Sequence, residues 1–183
     1  MKTERHTTYD FVSRLNHWIV AAAIIGMLAF GTYIEDFVPS GPGQGALLQI
    51  HKAIGVLVLA YGLWRIGWRL ARGFPDAVAP MPAWQDLIAR VTHWVLIACI
   101  ILMPVSGMMT SLFGGHDIDM FGLFVIPGFS KNALLSDLAG DMHDTIANVL
   151  IVFIILHVAG ALKHHVLDRD ATLVRMISGR LSR

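Results

Sequence analysis

Four apolar segments, separated by short polar or turn-rich stretches, dominate the hydrophobic pattern of this 183-residue chain. Each segment is about as long as the ~20 residues that an α-helix needs to cross the hydrocarbon core of a bilayer. The pattern therefore predicts an all-α integral membrane protein, a four-helix bundle that forms a single domain over residues 1–183. The predicted spans are residues 12–34, 47–71, 86–112 and 141–166.

The connections between the predicted spans are mostly short and rich in glycine and proline, as turns are. The third connection, about residues 113–140, is longer and contains an apolar piece at 119–127. This piece is too short to span a bilayer, so it must rest at the lipid head groups or on protein. We expect it to form a short helix or a cap along the outer interface.

The composition agrees with a membrane protein. Hydrophobic residues make up 55% of the chain and charged residues 15%, whereas an ordinary soluble domain has about 25% charged residues. The N-terminal stretch stays charged into the first segment and lacks a small-residue cleavage site, so the first helix is expected to be retained. The single cysteine, Cys99, leaves no intramolecular disulfide or thiolate metal cluster within one chain.

Basic residues are distributed unequally between the two ends of the predicted spans. Only Lys52 and Lys131 lie on one side, and the other twelve of the fourteen lysines and arginines lie on the opposite side. The positive-inside rule then places both termini in the cytoplasm. Because juxtamembrane basic residues also contact anionic lipid, these clusters need no nucleic-acid partner. The twelve are Lys2, Arg5, Arg14, Arg65, Arg69, Arg72, Arg90, Lys163, Arg169, Arg175, Arg180 and Arg183.

Two of the nine histidines, His143 and His157, are fourteen residues apart in the fourth span. Fourteen helical residues correspond to about 40° of rotation and about 21 Å along the axis, so one helix would present a histidine in each leaflet. Ionisable residues inside spans usually face the bundle interior. Similar depth pairs His143 with His51 near the outer surface. In the inner leaflet, His17 is the preferred partner of His157, and His93 is the rival ligand.

The available ligand types favour haem iron. Without cysteine clusters or paired intramembrane carboxylates, iron–sulfur, di-iron and zinc–thiolate centres lack their usual ligands. Two imidazoles from facing helices suit the axial positions of haem, and the absence of a Cys-x-x-Cys-His motif indicates non-covalent, b-type haem. Gly26, Gly55, Gly107 and Gly160 are suited either to the approach of a porphyrin edge or, equally, to close helix packing. Four basic residues near helix ends are suited to pair with haem propionates, although the preferred interpretation for most of them is that they simply anchor the helices. They are Arg14, Lys52, Arg65 and Arg90.

An ordered set of short motifs resembles the bacterial cytochrome b561 family. The motifs are SRLNHW at 13–18, HKAIG at 51–55, THW at 92–94, MPVSG at 103–107, FGLF at 121–124 and HDTIAN at 143–148, followed by His157 and His164-His165. The resemblance covers nearly the whole chain and implies a four-helix, dihaem inner-membrane protein that exchanges electrons with quinone. One type in that family oxidises superoxide outside the membrane and reduces ubiquinone. By motif match, the axial ligands of two haems b would be His17, His51, His143 and His157.

The predicted function is electron transfer across the bacterial inner membrane, between a periplasmic one-electron donor and membrane quinone. His164, near the inner surface, is the candidate quinone contact, with His93 second, and Lys52 is the candidate for steering an anionic donor. Only Lys131 accompanies Lys52 among seven outer carboxylates. Two electron donors therefore stay open, superoxide and a protein, and superoxide would make this chain a superoxide:quinone oxidoreductase. The reverse direction, from quinol to an outer acceptor, also stays open. The alternatives are a cytochrome b anchor subunit of a larger oxidoreductase, a non-haem transporter and a purely structural membrane protein.

Overall fold

Four long helices and one short helix form the framework of the protein in a computed structural model, which describes residues 8–73, 78 and 80–179. Each long helix is long and apolar enough to cross a membrane, which confirms the predicted all-α membrane class. The side on which the termini lie stays a prediction, and Lys2, Arg5, Arg180 and Arg183 lie outside the described residues. The helices are α1 (Phe11–Phe37), α2 (Pro42–Arg72), α3 (Ala83–Phe113), α4 (Ala133–Val166) and α5 (Thr172–Ile177).

The long helices extend beyond the predicted spans, most of all at the start of α4. The apolar pattern predicts a span from residue 141, but the helix begins eight residues earlier, at Ala133. Asn132 caps this end, because the backbone N–H of Leu135 donates to its Oδ1 at 3.1 Å. The first turns of α4 contain polar residues such as Asp137, so the hydrophobic pattern alone could not locate the helix start.

Asp10 caps α1 in a similar way. Its carboxylate accepts the Ser13 backbone N–H at 2.7 Å and the Ser13 hydroxyl at 3.1 Å. Burial acts to raise the pKa of Asp10, but the hydrogen bonds from Ser13 outweigh it and hold the pKa below its ordinary value of 3.8. The cap therefore stabilises the fold above that pH, and its contribution is lost as the pH falls through the lowered folded-state pKa.

The chain divides into two compact units. The unit that we call the terminal half comprises the described residues of Met1–Ile19, Trp64–Ala98 and Leu150–Arg183. The second unit, the loop half, comprises Val20–Leu63 and Cys99–Val149. Because α1 to α4 each contribute a segment to both units, every half has its own four helical segments. The single-domain organisation stays a prediction.

The apolar piece of the third connection forms a small hairpin. Strand β1 (Ile118–Asp119) pairs antiparallel with β2 (Val125–Ile126). Phe121 and Gly122 have positive φ values of 57° and 76°, as the two central residues of a tight hairpin turn require. The Gly122 N–H donates to Asp119 Oδ1 at 2.8 Å. The prediction of a short helix here is therefore wrong, since these turn residues favour a strand reversal.

The hairpin rests on protein in the loop half. Ile118 is fully buried and Met120 almost so, and both pack in one hydrophobic cluster with Ala53 of α2 and Leu112 of α3. Burying these apolar side chains fixes the connection against α2 and against the end of α3. The expected role of this piece as a cap is consistent with that packing.

Large apolar side chains on the long helices remain exposed. On α4, for example, Ile151, Val152, Ile155 and Leu156 expose 43 to 62% of their surface. Exposed apolar surface of this extent would be a liability in water. In a bilayer it is expected, because lipid tails are as apolar as these side chains.

Candidate functional site

Two histidine rings face each other in the loop half. His51 of α2 and His143 of α4 have ring centroids 6.5 Å apart, with their planes at 82°. The ring of Phe30, on α1, lies 5.8 Å from that of His51. Three helices thus bring two imidazoles and a phenyl ring together.

Hydrogen bonds to one nitrogen set the tautomer of His143. Its Nδ1 lies 3.0 Å from the carbonyl oxygen of Met103 and 3.1 Å from Oγ of Ser106. A proton on Nδ1 donated to the carbonyl leaves Nε2 with a lone pair, which is the arrangement of a metal-binding histidine. His51 differs, because its Nδ1 is buried without a hydrogen-bond partner among the residues that the structure describes.

Each of these histidines packs against a glycine of a neighbouring helix. A Cβ at Gly107 of α3 would lie 2.8 Å from Cε1 of His143, and a Cβ at Gly31 of α1 would lie 3.2 Å from Cε1 of His51. The missing side chains therefore make room for the imidazoles. Sequence reasoning overlooked Gly31; the signal available was a small residue at the depth of an intramembrane histidine.

The terminal half contains a cluster of three histidines. The ring of His157, on α4, lies 6.0 Å from that of His17 on α1 and 5.3 Å from that of His93 on α3. The structure therefore brings both sequence-predicted partners to His157. Proximity alone does not choose between them.

The hydrogen bonds of the two partners differ. Nη2 of Arg65, on α2, lies 3.0 Å from Nδ1 of His17, and the His93 side chain bonds to the backbone of Ala89, one helical turn earlier. Arg65 is also close enough to act electrostatically on His93 and His157. Arg65 therefore acts on all three rings, while Arg69 also acts on His17 and Arg175 on His93.

His164 lies near the end of α4 within a charged cluster. Its Nδ1 is 2.9 Å from Oδ2 of both Asp170 and Asp168, and Lys163 Nζ is 2.7 Å from the same Asp168 oxygen. Burial acts to raise the pKa of Asp170, but hydrogen bonds from Thr172 and His164 lower it below its usual value. At neutral pH the imidazole of His164 is therefore held by an ionised carboxylate.

The two facing pairs fit haem iron. Metal–imidazole bonds are about 2 Å long and a ring nitrogen lies about 1 Å from the ring centre, so two rings that share one metal ion have centres about 6 Å apart. The His51–His143 and His17–His157 separations of 6.5 and 6.0 Å agree with this value. The lone pair left on Nε2 of His143 points to the same chemistry.

A family model described as prokaryotic cytochrome b561 matches residues 8–179. The chain belongs to this family. It is 31% identical over 170 residues to cytochrome b561 homolog 2 of Escherichia coli K12, with 92% of this chain and 90% of that protein covered. It is also 29% identical over 174 residues to the probable superoxide oxidase CybB of Yersinia pestis, with 94% and 97% covered.

Membership of the cytochrome b561 family establishes the general role of the chain. It is a multi-pass protein of the inner membrane that binds haem b, contacts membrane lipid and takes part in electron transport. The interpretations as a non-haem transporter and as a purely structural protein are therefore wrong.

Three of the four glycines singled out in the sequence border open space in this cytochrome. A Cβ at Gly26, Gly55 or Gly160 would meet nothing within 4 Å among the described residues, whereas Gly107 is in close contact with His143. Close helix packing therefore does not explain the first three. Their open surroundings leave room for a porphyrin beside the backbone.

Lys52 is less available for steering an anionic electron donor than the sequence suggests. Its Nζ donates to Oγ of Ser111 and to the carbonyl oxygen of Asp117, each at 3.1 Å. These bonds tie α2 to the end of α3 and to the residue before the hairpin. The ammonium of this cytochrome thus has a structural use, and its role in steering stays a prediction.

Replacing Gly107 with alanine is expected to lower the haem content of the purified protein. The added methyl group would overlap the His143 ring and push it from its contact with Met103, whereas Gly45→Ala, at a position with nothing within 4 Å, should leave the haem content unchanged. The measurement is the haem-to-protein ratio by pyridine haemochrome. A full haem complement in Gly107→Ala would show that the close approach of His143 to α3 is dispensable.

Proposed function

We propose that this cytochrome carries electrons through two haems b, each held by two histidines. His51 and His143 would bind the haem of the loop half, and His17 and His157 that of the terminal half, with His93 as the alternative partner. The observation that carries the proposal is the pair of facing imidazoles in each half, at separations of 6.5 and 6.0 Å. Both pairs include a histidine of α4, a single continuous helix.

Haem iron with two histidine ligands has no open position, so it passes single electrons and does not bind oxygen. The protein's part is to orient the ligands and to exclude water. Met103 holds His143 in one tautomer, and Gly107 and Gly31 allow the two imidazoles to lie against the helices. The half-buried Phe30 beside His51 adds apolar surface next to the ligand pair.

For the exchange partners, we propose a one-electron donor at the loop half and ubiquinone at the terminal half, with both termini in the cytoplasm. The orientation rests on the predicted positive-inside distribution of basic residues. A relative of similar length is described as a probable superoxide oxidase. The balanced reaction would take one electron from each of two superoxide anions, release two O2, and convert one quinone and two protons to quinol.

The charge of the loop half favours a second direction. Lys52 is bound to Ser111 and Asp117, and Lys131 is the other basic residue among seven carboxylates on the predicted outer side. Such a surface repels an anion and attracts a cationic protein or small molecule. Oxidation of quinol, with electrons passed to an acceptor at the loop half, is therefore the competing function.

The purified protein is expected to contain two haems b per chain and to be reduced rapidly by one of two donors. The first measurement is a pyridine haemochrome count against protein concentration, for which a value of zero would end the proposal. The second is stopped-flow spectroscopy of oxidised protein mixed with superoxide or with ubiquinol. Fast reduction by superoxide supports the superoxide direction, whereas fast reduction by quinol alone supports the reverse.

A further inference from the structure

The hydrogen bond between Arg65 and His17 is incompatible with iron ligation by that histidine. Its guanidinium is within 3.0 Å of Nδ1 of His17, and arginine has only donors. Nδ1 must therefore hold a lone pair here, which in a neutral imidazole puts the proton on Nε2. A histidine that binds iron through Nε2 has the opposite tautomer, with the proton on Nδ1.

Binding of haem between His17 and His157 would thus remove the Nδ1 atom of His17 as an acceptor for Arg65. A guanidinium inside a span stays charged, and its hydrogen bonds to an anion are stronger than those to a neutral acceptor. The new acceptor should be anionic and should arrive with the event that displaces the guanidinium. Haem b meets both conditions, since it carries two propionate carboxylates into the site.

The other basic residues that the sequence suggests for propionates are engaged elsewhere. Arg14 donates to the carbonyl oxygen of Ile177 at 2.7 Å, and Arg90 forms a 2.9 Å ion pair with Asp86 on an exposed face. Lys52, in the loop half, bonds to Ser111 and Asp117, as described above. Among these four, Arg65 is the basic residue in contact with a predicted haem ligand.

We propose that Arg65 is the carboxylate anchor of the haem in the terminal half, and that its charge raises the reduction potential of that haem. The proposal rests on the proposed function, which places a haem at His17 and His157. Arg65 lies close enough to act electrostatically on His17, His93 and His157. A nearby cation opposes the extra positive charge of ferric iron and neutralises a propionate, so both effects favour the ferrous form.

The test is a spectroscopic redox titration of the haem-loaded protein and of three variants. Arg65→Gln removes the charge, Arg65→Lys keeps it, and Arg90→Gln is the matched control in the same half. In Arg65→Gln we expect the reduction equilibrium of one haem to shift about tenfold toward the ferric form, which is about 59 mV for one electron. The second haem, Arg65→Lys and Arg90→Gln should stay close to the unaltered protein.

Each other outcome is decisive. If Arg65→Gln loses one haem while Arg65→Lys retains both, the loss of haem itself supports Arg65 as the anchor, and no change in reduction potential is needed. Unchanged potentials with full haem content in Arg65→Gln would overturn the proposal, as would loss of a haem from Arg65→Lys. Failure of the proposed function is recognised separately, because the unaltered protein would then lack its second haem.

Discussion

The His143→Ala protein is expected to contain one haem b per chain, whereas two are expected in the unaltered protein. His143 is the α4 member of the facing pair in the loop half, and its removal leaves His51 as the single imidazole there. Axial ligation by one histidine would leave an open position and a weakly held, non-covalent haem. The measurement is the pyridine haemochrome content of purified protein, together with the visible spectrum of the haem that remains.

His157→Ala is the companion variant, and it should lose the other haem. The residual haems of the two variants should then have different spectra and different reduction potentials, because Arg65 is close to His17 and His157 in the terminal half. His116→Ala, at an exposed histidine of the loop half, controls for loss of an imidazole elsewhere. The proposal of one haem in each half would be contradicted if both variants keep the same haem, or if both keep two haems.

The helices were predictable because long apolar segments leave a membrane chain little choice. Each predicted span lies within one long helix, and the errors are confined to helix ends. The apolar pattern predicts too late a start for α4, because residues such as Ser136 and Asp137 interrupt the apolar run. In the structure a cap at Asn132 begins the helix. Hydrophobicity reports where lipid contact is possible, and hydrogen bonding decides where a helix begins.

The hairpin was missed for a different reason. Each strand has two residues, too few for an alternating pattern to be recognised. A turn signal was nevertheless present, because Asp119 is followed three residues later by Gly122, and glycine tolerates the positive φ found there. The apolar residues before and after this turn look like one continuous segment in the sequence, although they are the two sides of a reversal.

Depth along the spans indicates which histidines lie close to one another, but it does not give their rotation about the helix axes. In the loop half two intramembrane histidines share a depth, and they face each other in the structure. In the terminal half, depth left both His17 and His93 as partners for His157, and the structure brings both rings close to it. Hydrogen bonds to the second ring nitrogen depend on neighbouring helices, so the sequence could not supply them.

His164→Ala is expected to slow electron exchange with ubiquinone by about 100-fold, the lower end of what a positioned acid–base group contributes. Quinone reduction consumes two protons, and His164 is held at Nδ1 by the carboxylate of Asp170 at 2.9 Å, so Nε2 is the nitrogen that remains for a substrate. The measurement is stopped-flow oxidation of the reduced haems by a soluble ubiquinone analogue. Asp170→Asn keeps the hydrogen-bonding shape without the charge, so it should slow the reaction less and change its pH profile.

Haem content separates this role from a structural one. Because His164 is one heptad beyond His157 on α4, both haems should remain in His164→Ala, and only the quinone step should slow. His165→Ala, at the adjacent half-buried histidine, is the matched control and should react at the unaltered rate. An unchanged rate in His164→Ala would remove this residue from the quinone site. Asp170 contacts His164, so the loss of His165 should not affect this pair. The same slow rate in both variants would therefore indicate that the substitutions disturb the end of α4.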